Sequence, residues 1–115
     1  MQTFLIQVSY TAKAWSTLVR DPQNRADIMR PTIANLRGKI ESAYLAFGEF
    51  DVVGIVQLPD NVSAAALSMA MMAGGGITKV NTVALMTWTE GIEAMAKAKE
   101  AAYTPPQTSP MLDRR

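Results

Sequence analysis

The chain has 115 residues, a net charge of +1, and 49% hydrophobic and 18% charged residues, which is ordinary for one globular domain. The near balance of basic and acidic residues argues against a nucleic-acid partner. The sequence contains no His and no Cys, which excludes thiolate chemistry, disulfides and the commonest metal ligands. We therefore expect no metal and no cofactor, and the lack of Cys favours a cytoplasmic protein.

The first part of the chain predicts a strand, a helical region and a second strand. Apolar and polar residues alternate over residues 3–10, which is typical of a strand. Thr11 is then expected to cap a helix that carries Trp15 on its apolar side. A second alternating run over residues 39–47 predicts the second strand.

Three positions mark the helical region between these strands. Asp21 followed by Pro22 is typical of a new helix start, with the aspartate as N-cap. Pro31 lies inside the next apolar pattern, so we expect a kink or short break near Arg30. Gly38 is expected to end the segment at the C′ position, where glycine tolerates a left-handed backbone.

The second half of the chain repeats the order strand, helix, strand. Residues 48–50 predict a tight turn, and the apolar residues 51–58 that follow predict a third strand. A helix is predicted over residues 62–73, and a fourth strand over residues 80–87.

A last helix, over residues 90–102, is amphipathic. Its pattern predicts that Ile92, Met95 and Ala96 point inward and that the charged residues point to solvent. The Pro-rich residues 103–115 are expected to form a flexible tail, with an arm that reaches a neighbouring subunit as the alternative.

The order β-α-β-β-α-β with a terminal helix predicts an α+β fold of the ferredoxin-like type. In this fold, two β-α-β halves form a four-stranded antiparallel sheet with helices on one face. We assign residues 1–102 to this domain.

The third strand predicts that the chain does not act alone. Val52 and Val56 lie on one face of it, and Val53 and Ile55 lie on the other. A strand that is apolar on both faces needs cover on both sides, and the helices of this fold cover only one. We therefore expect two sheets to pack face to face in a homodimer or higher homo-oligomer.

The helix over residues 62–73 is apolar on nearly all sides, with only Ser63 and Ser68 polar. Such a helix is expected to be buried beyond one core contact, either by tight packing and oligomer contacts or as a Met-lined wall of a pocket. At about 12 residues it is too short for a bilayer core of about 30 Å, so we expect no membrane partner.

The residues around the central hairpin carry a resemblance to a known family. The segment reads Ala46-Phe47-Gly48-Glu49-Phe50-Asp51-Val52-Val53 and is followed by Pro59-Asp60. Over residues 3–97 the chain resembles the GYD-domain family, with Phe50 in place of the tyrosine of the motif. The resemblance implies a dimeric α/β barrel with a cavity between sheet and helices. It does not imply a reaction, because the superfamily hosts cofactor-independent monooxygenases, isomerases and haem enzymes.

Two groups of side chains are candidates for a site. Glu49 and Asp51 could form an acid/base pair at the hairpin, although Asp51 accepting backbone N–H bonds in the turn is the commoner arrangement. Four amphipathic aromatic residues are candidates for lining a pocket, with core packing as the alternative. They are Tyr10, Trp15, Tyr44 and Trp88.

Further polar residues within the strands have two interpretations. Gln7, Ser9, Glu41 and Asn81 could orient a ligand, or they could hydrogen-bond to one another across strands.

Two functions remain open from the sequence. The first is a homo-oligomer that binds a small apolar or aromatic molecule, with a cofactor-independent enzyme as an extension of it. The second is a non-catalytic assembly or regulatory module whose function is oligomerisation itself. The lack of His and Cys makes neutral-pH proton transfer less favourable, so binding is preferred over catalysis.

Overall fold

The computed structural model describes residues 1–107. Four strands and four helices lie within this range, in the predicted order. They are β1 (Gln2–Tyr10), α1 (Ala12–Arg20), α2 (Arg25–Asn35), β2 (Lys39–Leu45), β3 (Val52–Leu58), α3 (Asn61–Ala73), β4 (Ile77–Leu85) and α4 (Trp88–Ala101).

The strands form one antiparallel sheet in the order β2-β3-β1-β4. The central strand β1 pairs with β3 on one side, where Ile6 lies opposite Gly54, and with β4 on the other, where Ile6 lies opposite Thr82. This is the predicted α+β ferredoxin-like arrangement, and the prediction of fold class is confirmed.

The hydrophobic core lies between the sheet and the helices α2 and α3. Alternate residues of β1 and β3 are buried and meet buried residues of the two helices, as period-two side-chain geometry requires. The core residues are Phe4, Ile6, Val8, Ile33, Val56, Leu58, Ala64 and Leu67.

The opposite side of the sheet, which we call the open face, has no helix of α1–α3 against it. Its central row runs across all four strands as Ser42, Ile55, Leu5 and Val83, because these residues are register partners. Ile55 and Leu5 are only half-buried, and Val83 is exposed. The open face is therefore apolar along its middle, as the third strand predicted.

The helical region differs from the sequence prediction at two positions. Asp21 caps the C-terminal end of α1 instead of starting a helix, and Asn24 caps α2 by accepting from the N–H of Asp27 at 3.2 Å. Pro31 lies within α2 without ending it, so the predicted break near Arg30 is wrong. The proline removes one N–H from the helical pattern but has a backbone angle that suits a helix.

The end of α2 is also built differently from the prediction. Arg37, not Gly38, takes the left-handed conformation, with a φ of 63°. The N–H of Gly38 donates to the carbonyl of Ile33 at 2.9 Å, which is the longer bond of a Schellman motif. Gly38 is needed for space, because a Cβ there would overlap the Gln57 carbonyl oxygen and the Leu58 side chain.

Helix α3 is less buried in the single chain than its sequence predicts. Only Ala64 and Leu67 are buried, whereas Val62, Met69 and Met72 are exposed. The prediction of burial on nearly all sides is therefore wrong for one chain. The exposed apolar side of α3 carries no charged residue.

The start of α4 lies two residues before the predicted start. Thr87 was expected to belong to the fourth strand, but it is the N-cap of α4 and forms a capping box with Glu90. Strand β4 correspondingly spans Ile77–Leu85 instead of residues 80–87. The predicted inward residues Ile92 and Met95 are exposed, since α4 has no buried residue.

The described chain divides into two compact units, Met1–Leu85 and a second unit from Met86 onward. The predicted domain of residues 1–102 and the predicted tail of residues 103–115 remain predictions. Residues 102–107 form no helix or strand, and the rest of the predicted tail lies outside the described residues. Within residues 1–107, no helix has both the length and the apolar character needed to cross a bilayer.

Candidate functional site

Asp51 joins three segments of the first unit through its hydrogen bonds. Its Oδ2 accepts from the Tyr10 backbone N–H at 2.9 Å and from the Trp15 Nε1–H at 3.2 Å. Its own N–H donates to the Val8 carbonyl at 2.8 Å, and its carbonyl accepts from the Ala46 N–H at 2.7 Å. Asp51 therefore holds the β2–β3 connection against the end of β1 and the start of α1. Its side chain accepts a backbone N–H, but that N–H belongs to Tyr10 in β1 and not to the turn.

The four predicted aromatic residues lie in different places. The Tyr10 and Trp15 rings meet edge to face, with centroids 5.5 Å apart and planes at 87°. Tyr44 lies on the open face as the register partner of Val53 and is 67% exposed. Trp88 begins α4 in the second unit and is 82% exposed. The structure thus brings two of the four into contact within one chain.

The two predicted carboxylates, Glu49 and Asp51, have different partners. Glu49 Oε1 lies 3.3 Å from Lys79 Nζ in an exposed ion pair. Asp51 accepts from the N–H groups of Tyr10 and Trp15 instead. The two carboxylates are thus engaged by different partners in the structure, and their action as an acid/base pair stays a prediction.

Polar residues of the open face hydrogen-bond to one another. Asn81 Nδ2 donates to Gln7 Oε1 at 2.8 Å across the β1–β4 pair. Gln57 Nε2 donates to Glu41 Oε1 across the β2–β3 pair at 2.6 Å. Ser9 Oγ donates to the Glu49 carbonyl at 3.0 Å. Cross-strand pairing, the alternative considered for these residues, is confirmed for Gln7 and Asn81.

An open depression of about 820 Å³ lies at the hairpin end of the open face. The strand residues of the open face form its floor, and the β2–β3 connection forms its rim. Its lining consists of Gln7, Ala46, Phe47, Gly48, Glu49, Phe50, Val53, Lys79, Val80 and Asn81. This depression lies on the side of the sheet away from the buried core residues, and the cavity expected between sheet and helices stays a prediction.

Lys79 is the charged residue of this depression that sequence reasoning missed. Its Nζ lies 5.1 Å from the centroid of the Phe50 ring as well as 3.3 Å from Glu49. Phe50 occupies the tyrosine position of the motif and meets a cation with its ring face. Lys79 was not recognised as a sheet residue because the fourth strand was predicted to begin at residue 80. With Ile77 as its start, Lys79 falls on the open face opposite Ser9.

The chemistry that these residues offer is limited. Within residues 1–107, no three carboxylates gather where they could hold a metal ion. The depression presents one ion pair, one amide pair and the exposed ring of Phe47. This set can orient a small molecule by hydrogen bonds and ring contacts, and it holds no activated nucleophile with an adjacent base.

The fold and the depression define a class of protein: a ferredoxin-like α+β domain with one sheet face that α1–α3 leave open and a depression of mixed polar and apolar lining at one end of that face. The family model of the GYD domain matches residues 4–95. The chain therefore belongs to the GYD domain family, as the hairpin residues indicated.

Comparison with solved structures gives two distant matches. The crystal structure of FFRP-DM1 is 15% identical in sequence, with a TM-score of 0.47, over 75% of this chain and all of that one. The crystal structure of hypothetical protein PHS023 from Pyrococcus horikoshii is 14% identical, with a TM-score of 0.48, over 76% of this chain and 92% of that one. No curated protein matches the chain.

Proposed function

We propose that this protein is a homodimer whose two open faces pack together and bind a small apolar or aromatic molecule between them. The observation that carries the proposal is the apolar middle row of the open face, in which Leu5 lies between Ile55 and Val83. Leu5 and Ile55 are half-buried and Val83 is exposed in a single chain, and a contiguous apolar surface that its own chain does not fully bury is typical of an interaction site.

The polar residues of the open face are compatible with burial in such an interface. Gln7 and Asn81 hydrogen-bond to each other, as do Gln57 and Glu41, so part of their hydrogen-bonding capacity is met within one chain. Burying polar groups without partners is costly, and these pairs reduce that cost.

The depression supports the binding part of the proposal. Its volume of about 820 Å³ lies within the range of about 300–1,000 Å³ found for ligand sites. It is open in one chain, and a second sheet packed on the open face would cover it. Phe47 and Phe50 would contact a flat apolar ligand, and the amides of Gln7 and Asn81 would orient a polar group on it.

The proposed activity is binding rather than catalysis. Asp51 is engaged by two N–H donors, and Glu49 is paired with Lys79. Both carboxylates therefore act as hydrogen-bond or ion-pair partners of groups in their own chain, which favours a binding role over proton transfer.

The homodimer is tested by introducing a charged residue into the apolar middle row of the open face. Sedimentation equilibrium of the intact protein should give twice the 12.5 kDa of one chain, and Leu5→Lys should give a folded monomer. Leu5 lies on the side of β1 away from the core, so the lysine can reach solvent in a monomer. Val19→Lys changes an exposed apolar residue of α1 in the same way and should leave the dimer intact. A single species of 12.5 kDa at micromolar concentration for the intact protein would refute the homodimer.

Binding is tested by thermal denaturation with a panel of small aromatic and apolar compounds. A ligand that binds the native state raises the melting temperature by mass action. The shift should be lost in Phe50→Ala and kept in Val19→Lys, because only the first changes the depression. A dimer that responds to no compound would instead favour the second function, an assembly module without a ligand.

A further inference from the structure

The amide pair of Gln7 and Asn81 lies on the floor of the depression and has unused hydrogen-bonding groups. Asn81 Nδ2 donates to Gln7 Oε1 at 2.8 Å, and within residues 1–107 this is the one hydrogen bond that either side chain makes. A side-chain amide offers two donor hydrogens and one acceptor oxygen. The Gln7 Nε2 group is therefore free to donate and Asn81 Oδ1 is free to accept, and both residues line the depression.

The charges of the depression cancel within one chain. Glu49 and Lys79 are the charged residues among those that line it, and Glu49 Oε1 lies 3.3 Å from Lys79 Nζ. A charged ligand would add a charge without a counter-charge once a second sheet covers the depression, and a covered, unpaired charge is costly. The lining therefore favours a ligand without net charge.

Apolar side chains lie beside the amide pair. Val53 of β3 is the register partner of Gln7, one strand spacing of about 4.8 Å away. Phe47 lines the same depression from the β2–β3 connection, and its side chain is 99% exposed. A flat ring can contact Val53 and Phe47 while a polar group attached to it meets the amides of Gln7 and Asn81.

We propose that the ligand of the depression is a neutral aromatic amide or lactam. Its carbonyl oxygen accepts from Gln7 Nε2, and its N–H donates to Asn81 Oδ1. This inference rests on the binding function proposed above and names the class of ligand for the same depression. An amide carries a donor and an acceptor side by side without net charge, so one group pairs with both unused groups. A ligand that lacks either leaves a covered polar group unpaired and should bind less tightly.

The inference is tested with matched compounds that share a phenyl ring: benzamide, methyl benzoate, benzoate and benzylamine. The ester keeps the carbonyl but has no N–H, and the last two compounds are charged at neutral pH. Dissociation constants are obtained from the melting temperature of the intact protein over a range of ligand concentrations. Benzamide should bind about threefold to tenfold more tightly than the ester, which corresponds to one hydrogen bond. It should bind at least about tenfold more tightly than either charged compound.

Variants of the amide pair give a second measurement. Gln7→Met and Asn81→Leu each remove one partner with little change in size, and each should weaken benzamide binding about threefold to tenfold. In Asn81→Leu the preference for benzamide over methyl benzoate should disappear, because the acceptor of the amide N–H is gone. Gln57→Met is the matched control, since Gln57 bonds to Glu41 on the same open face but does not line the depression. It should leave the dissociation constant of benzamide unchanged.

Nuclear magnetic resonance gives a readout that does not depend on stability. The side-chain NH2 signals of Gln7 and Asn81 are assigned by their loss in the two variants. Both signals should shift when benzamide is added to the intact protein, whereas the NH2 signal of Gln57 should stay in place, because Gln57 lies outside the depression. Sedimentation equilibrium of each variant checks that its oligomeric state equals that of the intact protein.

The outcomes that overturn the inference differ from those that overturn the proposed binding function. Equal affinity for benzamide and methyl benzoate, or tighter binding of a charged compound, would refute the amide class. Either result would leave the binding function standing if the binding is lost in Phe50→Ala. Unchanged benzamide binding in Gln7→Met and Asn81→Leu would likewise refute the assigned contacts alone. No response to these four compounds or to the wider aromatic and apolar panel would refute the binding function and this inference together.

Discussion

Replacement of Asp51 by alanine is expected to destabilise the fold strongly. The substitution removes the acceptor of the Tyr10 N–H at 2.9 Å and of the Trp15 Nε1–H at 3.2 Å. A hydrogen bond to a charged group contributes about 1.5–3 kcal/mol, and both bonds are only part-buried, which favours the lower end of that range. We expect Asp51→Ala to lower the free energy of unfolding by about 2–4 kcal/mol.

The assay is denaturation in guanidinium chloride at one protein concentration, with the slope of the transition compared between variants. For a domain of this size, the expected loss corresponds to a fall in melting temperature of about 10 °C or more. Glu49→Ala is the matched control, because it removes a carboxylate two residues away whose ion pair with Lys79 is exposed. Exposed ion pairs contribute about 0–1 kcal/mol, so the control should change stability little.

A double-mutant cycle identifies the bond to the indole. Trp15→Phe keeps an aromatic ring beside Tyr10 but lacks the Nε1–H donor. If the bond is formed in solution, the effects of Asp51→Ala and Trp15→Phe should fall short of additive by about 1 kcal/mol. The reasoning is refuted if Asp51→Ala costs no more than Glu49→Ala, or if the two changes simply add.

Three further predictions concern the backbone. Gly38→Ala should destabilise the fold by about 1–3 kcal/mol in denaturant titration, since the new Cβ would overlap the Gln57 carbonyl oxygen. Thr87→Ala removes the N-cap of α4 and should raise the amide hydrogen-exchange rate of Glu90 about fivefold, for a loss of about 1 kcal/mol. Backbone hydrogen bonds, followed by side-chain hydrogen bonds, lower the pKa of Asp60 and of Glu90. Lowered pKa values make these groups stabilising above about pH 4, so unfolding free energy measured in urea should fall as the pH drops below that value.

Each of these predictions has a control in the same chain. Gly48→Ala should be neutral, because no atom lies within 4 Å of the added Cβ, and an equal effect at both glycines would contradict the steric reason. Thr89→Ala lies in the first turn of α4 outside the capping box and should leave exchange unchanged. Asp60→Asn keeps a neutral acceptor for the N–H of Ser63. Its stability should depend less on acid pH, and an unchanged acid dependence would exclude Asp60 as a cause.

Short-range patterns predicted the fold because each element follows from neighbouring residues. Alternation placed β1 within one residue of its observed start and assigned the two faces of β3 correctly. Thr11 was identified as the cap of α1, and it accepts from the N–H of Ala14 at 3.0 Å. The error at the boundary between β4 and α4 arose because two local sequence patterns favoured different elements. Thr87 was counted in a strand because it follows apolar residues, although its spacing to Glu90 is that of a capping box.

The candidate site was predictable only in part. Asp51 and Glu49 were identified as neighbours at a hairpin, but their partners Trp15 and Lys79 lie 36 and 30 residues away in the chain. Which partner each carboxylate meets depends on strand register and side-chain direction, and neither can be seen in a local pattern. The depression likewise forms from β1, β4 and the hairpin, which only the folded sheet brings together.

The amino-acid sequence by itself determined the order of elements, the two-sided apolar character of β3 and the family, because these depend on residue type and spacing alone. Tertiary structure decided which apolar surfaces are buried. The helices α2 and α3 cover one face of the sheet, and their residues Ile33, Ala64 and Leu67 pack into the core on that side. The open face and one side of α3 are not covered by the other elements of residues 1–85, although their sequences predict burial. A periodic pattern shows that a side chain avoids water, and it does not show whether its own chain or another copy provides the cover.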